Sequence, residues 1–253
     1  MQKILYRLLF AIFLAINGVS GHADTETLQW YVDNDLYATT TCESGGDITL
    51  PTPPTKYGYT FQGWAGYTKI EYIESNGTQY IDTAVLGGNI GRVHMEFSAL
   101  SADTTIMGAF SNTRLQCFID SFWFVTFRTF VTNSTGDNIV KIQSNTKISI
   151  DWNIKDGSTT INNTSYSLNS GTYENINYTM YLFAGNNNGN LSTPSTMILY
   201  LCKIYDNNGV LVRDMIPVLD SNNIPCMYDL VEDKFYYNAG TGDFIAGPIV
   251  NEQ

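Results

Sequence analysis

Basic residues are scarce in this chain. Thirteen Lys and Arg stand against 24 Asp and Glu, a formal charge of −11 over 253 residues. They form no basic run, and an acidic surface repels phosphate backbones, which argues against nucleic acid as a partner. Histidine is scarcer still, with only His22 and His94. Their number excludes a His-rich zinc or non-haem iron centre. Cysteine is limited to Cys42, Cys117, Cys202 and Cys226, whose spacing matches no metal motif. No segment shows helical period together with caps. Beyond the N-terminus no apolar run is long enough to cross roughly 30 Å of hydrocarbon.

The N-terminus itself reads as a secretion signal. Lys3 and Arg7 give a positive start, Leu8 to Ile16 is apolar, and Gly21-His22-Ala23 offers small residues to a signal peptidase. About nine apolar residues are too few to span a membrane. Cleavage after Ala23 is expected, and it takes Lys3 and Arg7 with it, so the mature chain carries −13 (−11 − 2). The protein is expected to be secreted, extracellular or at the cell surface, with no sorting motif at its C-terminus. Solubility outside the cell is the simple account of the charge, and positive ions, cationic surfaces and neutral glycans stay open as partners.

Aromatic residues make up 13 % of the chain and charged residues 15 %. Tyr, Asn, Thr, Ser and Gly dominate the rest, a composition for strands and turns. Turn signals recur at Asn76-Gly77, Gly87-Gly88, Thr135-Gly136-Asp137, Asp156-Gly157, Ser170-Gly171, Gly185-Asn186, Asn208-Gly209 and Gly240-Thr241-Gly242. Alternating or apolar runs lie between them: Arg92 to Phe97, Phe118 to Val131, Lys147 to Trp152, Met180 to Ala184 and Met197 to Tyr205. This rhythm predicts an all-β sandwich or barrel. The domains expected are a signal peptide at 1–23, a small β module at 24–66, a large β domain at 67–248 and a tail at 249–253.

Asn208-Gly209 suits a two-residue type I′ hairpin. Its register sets Asn207 opposite Val210, Tyr205 opposite Val212, Lys203 opposite Asp214 and Leu201 opposite Ile216. A second hairpin is expected to turn near Glu232-Asp233. In that arrangement Cys202 and Cys226 lie two strand spacings apart, roughly 9–10 Å, beyond disulfide reach. Four cysteines in an exported chain still allow three full pairings.

Two blocks carry a family resemblance. The front one is IEYIESNGTQYIDT, Ile70 to Thr83; the back one runs from Leu199 to Phe244 and includes KIYDNNGVLVRDMIPV and YDLVEDKFYYNAGTGDF. Together they resemble a concanavalin A-like (laminin-G-like) lectin/glucanase domain over Tyr67 to Pro248. The resemblance implies a jelly-roll sandwich of two antiparallel sheets that binds glycans or proteins more often than it catalyses. Relatives of this type are common in secreted, surface and phage-encoded proteins of gut bacteria. Upstream, Pro51 to Trp64 resembles the second half of an internalin-type B-repeat, the Listeria–Bacteroides repeat of bacterial surface proteins. Its core K-x-G-Y-T-F-x-G-W is present, with Tyr59 and Phe61 on one face of a short strand. The Asp–Asn–Gly–Gly turn of that family is replaced by Val32-Asp33-Asn34-Asp35-Leu36. This part of the resemblance implies a spacer or adhesive unit.

The catalytic branch of the superfamily carries a Glu-x-Asp-x-x-Glu strand that aims its carboxylates into one cleft. No such strand occurs. Glu71 and Glu74 fall on opposite faces, and Glu232-Asp233 sits in a turn. His94 lies opposite Val93, Met95 and Phe97, on a surface face rather than in a triad. An enzyme is therefore not expected. The ligand candidates come from Phe118 to Val131, where odd positions suit a core and even positions mix aromatics with Asp120 and Arg128. Phe122, Trp123, Phe124, Arg128 and Asp120 are the candidate binding residues, with burial of both faces as the competing reading. No cofactor is expected. Calcium suits the superfamily, but Asp82, Asp103, Asp120, Asp137 and Asp156 show no motif spacing. The sequons at Asn133 and Asn177 matter only in a eukaryotic secretory path. The functional expectation is a non-enzymatic module recognising a glycan or a cell-surface protein. A structural or adhesive display unit is the alternative, and a divergent glycoside-active enzyme ranks third.

Overall fold

The computed structural model describes residues 10–12, 25–32, 35–43, 48–55, 66–110, 113–128, 137–168 and 176–250. Among them the chain is all-β, as expected, and its only helical element is a 3-10 turn at Gly87–Asn89. An antiparallel ribbon at the N-terminal end joins Phe10–Ile12, Thr25–Val32 and Asp35–Glu43. Leu28 and Trp30, two apart and so on one face, are buried there. Trp30 Nε1 donates to Thr40 Oγ1 at 2.8 Å. The strand expected at Tyr59 to Trp64 lies outside the described residues, as do the turns at Thr135-Gly136 and Ser170-Gly171 and the cleavage site at Ala23.

Two larger antiparallel sheets make the sandwich. One runs in the order Thr164–Ser167, Ser158–Ile161, Lys147–Asn153, Ile90–Ala99, Thr196–Asp206, Leu211–Leu219, Pro225–Asp229, Lys234–Tyr236. The smaller runs Asp137–Lys141, Phe124–Arg128, Arg114–Ile119, Thr104–Phe110, Thr179–Leu182, Ile81–Leu86. Alternation supplies the core. Val93, Met95, Phe97, Ile148, Ile150 and Trp152 face inward from one sheet, and Leu115, Cys117, Ile119, Val125 and Phe127 from the other. Phe127 and Trp152 meet across the gap with ring centroids 4.9 Å apart. Each such side chain contributes about 1.5–3 kcal/mol by leaving water.

The two sequence blocks close the fold on itself. Ile73–Asn76 pairs with Thr196–Asp206, Ile73 opposite Leu199 and Asn76 opposite Thr196. The back block returns over the front one. Ala239 N donates to Tyr80 O at 2.8 Å, Thr241 N to Thr78 O at 3.2 Å, and Tyr80 N to Asn238 Oδ1 at 3.1 Å. The chains approach so closely that a Cβ at Gly240 would strike the Thr78 carbonyl. Arg213, almost fully buried, ties the blocks together. Its Nε donates to Thr83 O at 2.9 Å and its Nη1 to Glu232 Oε1 at 2.7 Å.

Lys203 stands opposite Asp214, as the charge pairing predicts, with Nζ to Oδ2 at 2.9 Å. Toward the turn the expected register fails: Tyr205 faces Leu211, not Val212. The connection is a type I turn followed by one left-handed residue, which adds a bulge. Gly209 N donates to Asp206 O at 3.0 Å, and Gly209 has φ 79° while Asn208 is not left-handed. Asp206 selects this form, because its Oδ1 accepts from Asn208 N at 2.8 Å and Val210 N at 2.9 Å. The second hairpin turns where expected, with Asp229 opposite Lys234.

All four cysteines are free thiols. Cys202 belongs to the inter-sheet core, whereas Cys226 packs with Tyr67, Val218 and Tyr228 in a separate cluster. They therefore point to opposite faces of one sheet, a stronger bar to bridging than strand spacing alone.

Candidate functional site

The run from Phe118 to Val131 is not one strand. It breaks into a hairpin at Asp120, and residues 129–131 lie outside the described residues. Asp120 Oδ1 accepts from Phe122 N at 2.9 Å and Phe124 N at 2.8 Å, and Trp123 N donates to Asp120 O at 3.0 Å. These bonds turn the chain before a longer strand can form. The inward–outward parity survives the turn, because Val125 lands opposite Ile119. Ile119, Val125 and Phe127 are core residues. Phe118, Phe124, Thr126 and Arg128 face out.

The five residues singled out by sequence do not converge. Asp120 holds the turn. Phe122 is at its tip, 70 % exposed. Trp123 takes the left-handed position, φ 68°, and its ring packs against the core. Only Phe124 and Arg128 share the outer face.

That face gathers other residues instead. Arg128 pairs with Gln116 and Thr126 with Phe118. On the far side of the central strand, Gln116 pairs with Gly108, Phe118 with Thr105 and Arg114 with Phe110. Arg114, Gln116 and Phe118 thus form one row, flanked by Arg128 and by Thr105 and Phe110. Two phenyl rings carry guanidiniums: Arg128 lies 4.2 Å over Phe118 and Arg114 lies 5.0 Å over Phe110. The Phe110 ring lies flat enough that a Cβ at Gly185 would run into it. Lys141, opposite Phe124, adds a third cation to the face.

Beneath the arginines, Gln116 is only 4 % exposed. Its Nε2 donates to Thr105 Oγ1 at 2.7 Å, and Thr105 Oγ1 lies 2.5 Å from Thr193 Oγ1. Thr193 holds φ 42°, an unusual conformation for a β-branched residue. This chain of hydroxyls fixes the amide, yet among the described residues Gln116 Oε1 has no hydrogen-bond partner, and neither has Arg128 Nε. Arg92, Lys147, Lys203 and Arg213 are each paired with a carboxylate; among the described residues Arg114 and Arg128 have no carboxylate partner. Burial, and then the charge of Arg114, hold the Arg128 guanidinium below its usual pKa. Arg128 and Phe118 were legible as outward residues. Arg114 and Gln116 precede the aromatic run that begins at Phe118 and stand among no turn or motif residues that mark them, so the sequence alone does not single them out.

Gln116 and Arg128 are not alone in this: among the described residues His94 Nδ1, Trp152 Nε1 and Thr159 Oγ1 are also buried without a hydrogen-bond partner. His94 faces out from the larger sheet, its Nδ1 3.7 Å from Asp151 Oδ2, and Arg92 Nη2 holds the same oxygen at 2.5 Å. A cleft of about 510 Å³ lies between Ala84, Asn89, Asp206, Asn207, Val212 and Arg213. Its cation and its carboxylate already have the partners described above. Among the described residues no three His, Cys, Asp or Glu side chains are grouped to hold a metal. Asp82 Oδ1 accepts from Ala84 N at 2.9 Å, and Asp156 Oδ2 from Asn153 Nδ2 at 2.6 Å; the Asp137 side chain lies outside the described residues. No helix of the described residues is long and apolar enough to cross a membrane. No family model matches the chain, and no solved structure matches it.

Proposed function

We propose that this protein is an exported, non-enzymatic binding module of the concanavalin A-like type, which holds a glycan on the outer face of its smaller sheet. One observation carries the reading. On that face Arg128 lies over Phe118 and Arg114 over Phe110, and among the described residues neither guanidinium is paired with a carboxylate. This aromatic and polar mixture suits a saccharide, which offers apolar C–H faces and many hydroxyls. The pairing of the Ile70–Thr83 and Leu199–Phe244 blocks supports the family resemblance. The signal at 1–23 supports export, and the repeat-like stretch before Trp64 suits a spacer on a bacterial surface.

The absence of a carboxylate pair on this row supports binding over hydrolysis, since retaining and inverting cleavage need two carboxyl groups about 5–10 Å apart in a groove. Asp120, in the hairpin between Arg114–Ile119 and Phe124–Arg128, is committed to the turn. Glycan-array binding by the mature chain tests the reading, with Phe118→Ala and Phe124→Ala as comparisons. The wild type is expected to retain a defined glycan group, and Phe118→Ala to weaken it at least several-fold. Retention of no glycan at all would sink the reading and leave a display unit.

A further inference from the structure

We infer that the saccharide on this face is anionic: its carboxylate or sulfate oxygens bridge Arg114 and Arg128. The inference rests on the glycan reading above and adds the class of sugar. Three observations lead to it. The first is the local charge. In a chain of −11, this face carries Arg114, Arg128 and Lys141, with neither arginine paired to a carboxylate of the described residues. The second is spacing. Arg128 pairs with Gln116, so Arg114, two residues before Gln116 on the same face, is its diagonal neighbour, their backbone positions roughly 7–8 Å apart. Two cations that share a face repel, and an anion between them removes the repulsion. The third is orientation. Each guanidinium rests over a ring that holds it on this face, and a guanidinium carries several N–H donors that match a planar or trigonal oxyanion.

Gln116 completes the geometry. It lies between the arginines, one strand across from Arg128 and two residues along from Arg114, and the Thr193–Thr105 hydroxyls hold its amide in place. A carboxylate at position 116 would neutralise the arginines internally. The chain carries an uncharged amide there instead, which leaves their charge for a ligand.

The test is calorimetric titration of the mature protein with an oligogalacturonate, a sulfated dextran and a neutral galacto-oligosaccharide. Thermal melts of every variant accompany it. The expected result is binding of at least one anionic probe at 10-fold or greater advantage over the neutral one. Arg114→Gln and Arg128→Gln should each weaken it about 10-fold or more, and Arg128→Lys should restore only part of the loss. Gln116→Glu should abolish anionic binding while raising Tm, because the new carboxylate takes the ligand's place. Binding of the oligogalacturonate alone assigns a carboxylate, and of the dextran alone a sulfate. Neutral binding unaffected by the arginine variants would overturn the inference and spare the glycan reading, whereas no binding by any probe would overturn both. A drop of several degrees in Tm for Arg114→Gln and Arg128→Gln would make the pair structural braces and also overturn it.

Discussion

Asp120, Asp206 and Asp220 each organise a hairpin in the same way. Each backbone N donates to the carbonyl four residues on, and each Oδ1 accepts from the amides two and four residues on. The residue three positions on is left-handed: Trp123, Gly209 and Asn223, with φ of 68°, 79° and 60°. Asp220 is the buried example. Burial opposes its ionisation, but the amides of Ile224 and Asn222 and the hydroxyl of Tyr237 outweigh it and hold the carboxyl below its ordinary pKa. A depressed folded pKa means stabilisation that is complete above the unfolded value of about 4 and is lost as pH falls through the folded one. Asp220→Asn is therefore expected to cost about 1–3 kcal/mol at pH 7 and to flatten the acid limb below about pH 4. Denaturant unfolding across pH 2–7 measures both; equal acid limbs in the two proteins would refute the assignment. Burial also raises the thiols, Cys226 to about 12 and Cys117 and Cys202 further. In the native protein a thiol reagent should titrate Cys42 alone, the half-exposed one, and all four only after unfolding. More than one fast thiol would contradict this.

At the scale of elements, strands were legible wherever period and turn residues agreed. Arg92 to Phe97, Lys147 to Trp152 and Met197 to Tyr205 all lie inside observed strands. The hairpin at Asp120 was not legible, and the reason is chemical. The left-handed position of this turn is usually marked by Gly or Asn, as at Gly209 and Asn223. Trp123 fills it here, so an apolar residue hides the turn inside an apolar run. Trp123 offsets its strained φ by packing against the core. Trp123→Gly separates the two terms: it relieves about 1–2 kcal/mol of left-handed strain but forfeits the packing, with a net loss of stability expected on chemical unfolding. A net gain would show that the ring contributes little. The Lys203–Asp214 pair is half-exposed on one side and more sheltered on the other. A double-mutant cycle is expected to return about 0.2–1 kcal/mol of coupling, and zero coupling would leave the register to the flanking apolar residues alone.

For the whole molecule, stability rests on the gap between the two sheets. Trp152→Ala removes the ring that meets Phe127 and should cost about 3–5 kcal/mol, read as a shift in denaturant midpoint. Composition, alternation and turn residues alone determined the all-β class, the inward set and the pairing of Lys203 with Asp214, because these depend on local period and on charges brought opposite by one hairpin. The surface that could hold a ligand was decided only by tertiary structure. Arg114 and Arg128 are separated in sequence by the turn and become neighbours through strand register. The burial of Gln116, the hydroxyl chain from Thr193 and the unpaired Oε1 depend on segments far apart in the chain. No periodicity within one segment can specify which distant group comes to rest against it.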